Sequence, residues 1–150
     1  MNFKIFFAGY IFIFLSACNA KEDLCTAYQC SAPVKKLKLK FRDSNNFDLL
    51  FSTNATYSLN DLKIQSSLFN ADLAFGIDST DKNNRYVLIP FFHSQNLRIK
   101  LANKQEDNIE IETALQEVRC CEIIKITSLK INGITICTHC STIEPIILIK

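Results

Sequence analysis

Apolar and polar residues alternate along most of the chain after residue 34, which is the pattern of strands that bury one face. The clearest example is 36–42, in which Leu37, Leu39 and Phe41 alternate with lysine or arginine. After residue 34, we expect helix only in segment 113–119, and there a single turn at most. The other segments that we predict as strands are 47–51, 57–64, 67–77, 86–92, 97–101, 109–112, 121–131, 134–137 and 143–149.

Polar turn residues separate these segments and indicate how some of them pair. Asn132-Gly133 is a strong signal for a two-residue hairpin between 121–131 and 134–137, which places Ser128 opposite Cys137. Many short strands joined by polar turns in 150 residues predict an all-β fold. We expect an antiparallel β-sandwich of immunoglobulin-like or transthyretin-like type.

The start of the chain has the pattern of an exported lipoprotein. The uncharged run at 5–14 is too short to span a membrane but suits the hydrophobic region of a signal peptide. Leu15-Ser16-Ala17-Cys18 follows and matches the bacterial lipobox, in which the cysteine is lipidated and the signal removed. We therefore predict a signal-peptide helix at 1–17, a lipidated tether at 18–33 and the β-sandwich domain at 34–150, with Cys18 anchored in a membrane.

Composition and charge narrow the classes of partner. The 17 basic and 15 acidic side chains give a formal net charge of +2, which argues against a nucleic-acid ligand. The tether carries Lys21-Glu22-Asp23, which resembles the signal that directs some lipoproteins to the cell surface. We expect an outer-membrane lipoprotein that is either surface-exposed or faces the periplasm.

Cysteine chemistry follows from the predicted lipidation. Seven cysteines less Cys18 leave six, and an even number outside the cytoplasm indicates disulfides. The predicted hairpin register places Cys140 beside Lys125, about 13 Å along the strand from Cys121 and too far for a bridge. The preferred scheme joins Cys25 and Cys30 to Cys120 and Cys121, in either order, and Cys137 to Cys140.

Two other readings of the cysteines stay open. Cys137-Thr138-His139-Cys140 is a C-x-x-C motif and has the spacing of a thiol-redox pair. A zinc site is the other reading, although a vicinal pair is poor spacing for tetrahedral ligation. Its ligands would be drawn from Cys120, Cys121, Cys137, His139 and Cys140.

Two charged stripes are the remaining candidate surfaces. The basic stripe consists of Lys36, Lys38, Lys40 and Arg42 and is a candidate face for anionic glycans or lipid head groups. Glu110 and Glu112 form the acidic stripe, and cross-strand pairing of the two stripes is the alternative. The chain has none of the nucleophile, metalloprotease or phosphate-loop motifs, so we predict no catalytic residue, no cofactor and no resident metal.

The combination of short motifs resembles the small uncharacterised lipoproteins of Bacteroidota. The resemblance rests on the lipobox, Lys21-Glu22-Asp23, Phe47-Asp48-Leu49-Leu50, and Cys120-Cys121 followed by Ile131-Asn132-Gly133. It implies a β-sandwich on the outer membrane and implies no activity. The first hypothesis is a non-enzymatic module that binds a protein or glycan partner at the envelope. The alternatives are a periplasmic thiol or metal protein using Cys137 and Cys140, and an inhibitor or immunity lipoprotein.

Overall fold

The computed structural model describes residues 34–69, 71–81, 84–118, 121–140 and 144–150. The predicted signal peptide and the whole of the predicted tether lie outside the described residues. In the described ranges the chain forms ten strands and one 3-10 turn, Leu59–Asp61. The strands are β1 (Lys35–Arg42), β2 (Leu62–Ser66), β3 (Ala71–Asp72), β4 (Gly76–Asp78), β5 (Tyr86–Phe91), β6 (Gln95–Leu101), β7 (Asp107–Val118), β8 (Cys121–Ile131), β9 (Ile134–Thr138) and β10 (Ile146–Ile149).

The strands form two sheets packed against each other. The four-stranded sheet has the order β10-β1-β5-β4, and the six-stranded sheet has the order β3-β2-β6-β7-β8-β9. Neighbouring strands are antiparallel except for β1 and β10, which run parallel. The prediction of an all-β sandwich is confirmed, and β10 adds one parallel pairing that periodicity does not specify.

The core lies between the sheets and is built from alternate residues of each strand. β6 shows the rule most clearly, since buried and exposed residues alternate along its whole length. Burial of one large apolar side chain contributes about 1.5–3 kcal/mol, so this period-two set holds the sheets together. The largest fully buried side chains are Leu37, Leu39, Phe41, Ile64, Ile89, Phe91, Leu97, Ile99, Leu101, Ile109, Ile111 and Leu129.

Segment 47–51 is a turn, so the prediction of a strand there is wrong. Leu49 and Leu50 are nevertheless buried, as their apolar character indicates. The Asp48 carboxylate accepts the amide protons of Leu50 and Phe51 at 3.0 and 2.9 Å. These side-chain bonds satisfy backbone donors locally, in place of a strand ladder.

Other boundaries also depend on tertiary pairing. Segment 67–77 is not one strand, because β3 joins the six-stranded sheet and β4 joins the four-stranded sheet. The expected helical turn at 113–119 is wrong, since β7 continues to Val118 with β8 as its partner. This distal part of β7 and β8 is a two-stranded ribbon, because the pairing of β6 with β7 ends at Ile111.

The β8–β9 hairpin turns at Asn132-Gly133 as predicted, with φ values of 51° and 79°. A bulge at Ile136 shifts the register, so that Cys137 lies opposite Leu129. The predicted pairing of Cys137 with Ser128 is therefore wrong.

Candidate functional site

The cysteines of the C-x-x-C motif form a disulfide at the end of β9, with their Cα atoms 5.8 Å apart. Cys140 is buried, and His139 donates its amide proton to the Thr127 carbonyl at 2.7 Å. Redox-active motifs of this spacing have the thiol pKa lowered by a helix N-terminus. Cys137 instead lies in the last two residues of strand β9, and this geometry favours a structural bridge.

Cys121 is also disulfide-bonded, with a partner outside the described residues. Its pairing with a cysteine of the tether stays a prediction. Sulfurs held in bridges are not available as the thiolates that a zinc site requires. Within the described ranges, no three His, Cys, Asp or Glu side chains are grouped so as to hold a metal ion. The cysteines outside the described residues are Cys18, Cys25, Cys30 and Cys120.

The basic stripe lies on the outer face of the four-stranded sheet, but its charges are mostly engaged within the chain. The Lys40 side chain is only 6% exposed. Its Nζ donates to Asn84 Oδ1 at 2.7 Å and lies 3.5 Å from Asp48 Oδ2. The ring centroid of Tyr86 is 5.3 Å from the same ammonium group, within the range of a cation–π contact.

Two of the remaining side chains of the basic stripe also donate to acceptors within the chain. Lys38 Nζ donates to Asp78 Oδ2 at 2.9 Å, and Arg42 Nη1 donates to Asn46 Oδ1 at 2.5 Å. Lys36 is exposed. Because the other three groups already have acceptors, the structure does not favour the basic stripe as a face for anionic ligands.

The two stripes do not pair with each other, so that alternative is wrong. β1 and β7 belong to different sheets. The acidic stripe instead faces Lys130 on β8, whose Nζ lies 3.9 Å from Glu110 Oε2 and 4.0 Å from Glu112 Oε1. Glu110 and Lys130 are direct register partners, which explains the contact.

Among the carboxyl groups of the described residues, Asp78 has the pKa that is lowered most. Its pKa lies well below the usual range, first because Thr80 Oγ1 donates to it at 2.6 Å and then because Lys38 does so. The hydrogen bond to Asp78 in turn raises the pKa of Lys38. Both groups are on the solvent side of the sheet, where these interactions link β1 to β4.

Acid should therefore destabilise the domain partly through Asp78. A carboxyl whose pKa is depressed by folding stabilises the native state above its unfolded value of about 3.9, and this is lost as the pH falls towards the folded value. We expect the urea midpoint of Asp78→Asn to fall less than that of the wild type between about pH 5 and about pH 2. Thr80→Val, which removes one donor, should lie between them. Identical pH profiles for all three proteins would contradict this account.

An apolar groove of about 390 Å³ opens between β9 and β10. In the described part of the chain, β9 has β8 as its one neighbouring strand and β10 has β1. The groove therefore lies where both sheets end on the same side of the sandwich. Its walls are formed by Leu129, Ile131, Ile136, Cys137, Glu144, Pro145, Ile146 and Ile147.

The two edge strands expose large apolar side chains beside this groove. Ile134, Ile136, Ile147 and Ile149 are between 48% and 69% exposed. Natural proteins usually protect sheet edges with charged residues or proline. The strand sequences ITICT (β9) and IILI (β10) contain neither. An unprotected apolar edge of this kind is typical of a surface that binds a partner.

Sequence reasoning misses this groove. Both segments are predicted as strands, but an isoleucine-rich run has the same pattern in a central strand as at an edge. The bulge that brings Ile136 into the groove has no local signal either. Only the order of strands in the sheets identifies the surface.

Comparison of the chain with models of protein families, with curated proteins and with solved structures finds no match. None of the described segments forms a helix with the length and apolar character that crossing a bilayer requires.

Proposed function

We propose that this chain is a lipid-anchored protein of the outer membrane whose β-sandwich binds an extended polypeptide as an additional strand beside β10, without catalysing a reaction. The observation that carries the proposal is the unprotected apolar edge formed by β9 and β10. The lipobox at Leu15-Ser16-Ala17-Cys18 supports the anchor.

The shape of the sandwich supports strand addition. Among the described residues, the groove lies between β9 and β10 and no strand pairs with the outer edge of β10, so an added strand can pair there. An added strand would pair its backbone with β10 and place every second side chain in the groove, against Ile131 and Ile136. Main-chain bonds would supply affinity, and the groove would select apolar side chains at alternate positions.

The chemistry of the groove identifies the class of partner. Its walls are aliphatic apart from the disulfide and Glu144. Such a surface suits valine-sized or isoleucine-sized side chains better than a glycan, whose hydroxyl groups would lose their hydrogen bonds to water. An extended segment of alternating apolar and polar residues satisfies both the groove and the strand edge.

Strand addition is tested with a fluorescein-labelled peptide of sequence Lys-Val-Thr-Val-Thr-Val-Lys. Two further peptides carry N-methyl groups on all valines or on both threonines, and each modification removes amide donors from one edge of the strand only. We expect the parent peptide and one methylated peptide to bind in fluorescence anisotropy, while the other methylated peptide does not. Equal binding of both methylated peptides, or no binding of the parent, would overturn strand addition.

The same titration locates the binding edge. Ile136→Ser removes apolar contact from the groove and should weaken binding about tenfold. Leu115→Ser is the matched control, because Leu115 is similarly exposed but lies on the ribbon of β7 and β8. An equal loss in both variants would show that the groove is not the binding surface.

The anchor is tested separately, in cells. Metabolic labelling with palmitate should mark the protein, and Cys18→Ala should abolish the label and move the chain from the membrane fraction to the soluble fraction. Retention of the Cys18→Ala variant in the membrane fraction would refute the lipid anchor, whatever the peptide experiment shows.

A further inference from the structure

A second pocket, of about 300 Å³, lies away from the β9–β10 edge and shares no wall residue with the groove. It is formed by the turn after β2, the segment after β3, and the connection from β5 to β6. Its volume is at the lower end of the range for small-molecule sites. The wall residues used below are Leu68, Phe69, Phe91, Phe92, His93 and Gln95.

Gln95 is an unusual residue for its position. It is the first residue of β6 and is buried on the inward face of the strand. The other residues on that face are Leu97, Ile99 and Leu101. Gln95 is only 6% exposed, and it forms part of the pocket wall. A buried amide without full hydrogen bonding costs free energy that an apolar residue would not.

Among the described residues, the side-chain hydrogen bond of Gln95 uses its oxygen. Its Oε1 accepts from Ser66 Oγ at 2.7 Å, and Ser66 Oγ accepts the amide proton of Leu68 at 3.2 Å. These contacts orient the amide, while none of the hydrogen bonds within the described residues uses its Nε2 as a donor. The pocket therefore has one oriented amide donor in a wall whose other described residues are apolar except for His93.

Large apolar side chains at the pocket are exposed to solvent. Leu68, Phe69 and Phe92 are 48%, 64% and 48% exposed, respectively. Phe91, by contrast, is buried and belongs to the core. Three exposed apolar side chains gathered at one pocket are typical of a ligand site.

We infer that this pocket binds a small neutral molecule with an aromatic or aliphatic body and one carbonyl or hydroxyl oxygen that accepts a hydrogen bond from Gln95 Nε2. The volume sets the size of the body, and the exposed phenylalanines cover its faces. No Lys, Arg, Asp or Glu of the described residues lines the pocket, which disfavours a charged ligand. This inference is independent of strand addition at β10.

The test uses a neutral fluorescent ketone, 6-propionyl-2-(dimethylamino)naphthalene, whose emission shifts to the blue in an apolar site. Its analogue 2-(dimethylamino)naphthalene lacks the ketone and has the same ring. The double variant Ser66→Ala with Gln95→Met removes both members of the buried hydrogen bond and preserves apolar volume. We expect this variant to bind the ketone about five- to tenfold more weakly, with unchanged affinity for the analogue.

Variants at the exposed residues complete the test. Phe69→Ser and Phe92→Ser should each weaken the binding of both probes. Ile136→Ser, in the other groove, should change the affinity for neither probe. An equal loss of both probes in the double variant would overturn the role of Gln95. Binding that is unaffected by Phe69→Ser and Phe92→Ser would overturn the site itself. These two residues are exposed, so the second comparison stands even where the buried double variant does not fold.

Discussion

Replacing Asp107 by alanine should destabilise the domain by about 3–5 kcal/mol, because it leaves the ammonium group of Lys150 buried without its counter-ion. The two side chains form an ion pair, and they are 11% and 3% exposed. Lys150 Nζ also donates to the Gln105 carbonyl, and Asn132 Nδ2 donates to Asp107 Oδ1 at 3.0 Å. The pair therefore joins the end of β10 to the six-stranded sheet, where β7 begins and the β8–β9 hairpin turns.

Urea unfolding at neutral pH measures this effect, and a double variant separates its causes. Asp107→Asn with Lys150→Met keeps an acceptor for Asn132 and removes both charges. Because the double variant leaves no buried charge without a counter-ion, we expect it to regain most of the stability that Asp107→Ala loses. A loss below about 1 kcal/mol in Asp107→Ala would mean that water reaches Lys150 and that the pair behaves as a surface salt bridge.

Phe41→Ala should cost a similar amount, about 3–5 kcal/mol, for a different reason. Phe41 is 1% exposed and lies in β1, the central strand to which both β5 and β10 pair. Removing the ring deletes buried apolar contacts and leaves a cavity that the two sheets do not close. The free energy of unfolding in urea gives the measurement.

The matched control is Phe47→Ala, a change of the same residue type a few positions further along the chain. Phe47 is 68% exposed, so its truncation should change stability by less than about 0.5 kcal/mol. Comparable losses in the two variants would show that Phe47 is covered in solution and that the core of the sandwich is not where the alternation of β1 places it.

Local periodicity predicts strands well where a strand buries one face along its whole length. β1 and β6 are of this kind, and their inward residues are those that the alternation indicates. Segment 47–51 is predicted as a strand but forms a turn, because the Asp48 side chain satisfies two backbone amides there. Periodicity also fails in the ribbon formed by β7 and β8, where it predicts a helical turn. The residues of β7 beyond Glu112 are mostly exposed, and they are extended because they pair with β8.

The candidate sites show the same division. Residue types and spacing indicate the Cys137–Cys140 bridge, because only two residues lie between the two cysteines and a strand ends there. The basic stripe is equally visible in the sequence, but Lys38 and Lys40 donate to Asp78 and Asn84, which lie 40 and 44 positions further along the chain. Spacing along the chain carries no information about these acceptors.

The sequence by itself determines that this protein is a β-sandwich domain, because burial of alternate residues favours extended strands wherever they pair. It also carries the lipobox, from which the membrane anchor is proposed, since that motif is read locally. Tertiary structure alone decides which strands are edges, because β9 and β10 differ from central strands only in what lies beside them. The apolar groove and the oriented Gln95 amide arise from the order of the strands in the sheets, which no single segment of the sequence specifies.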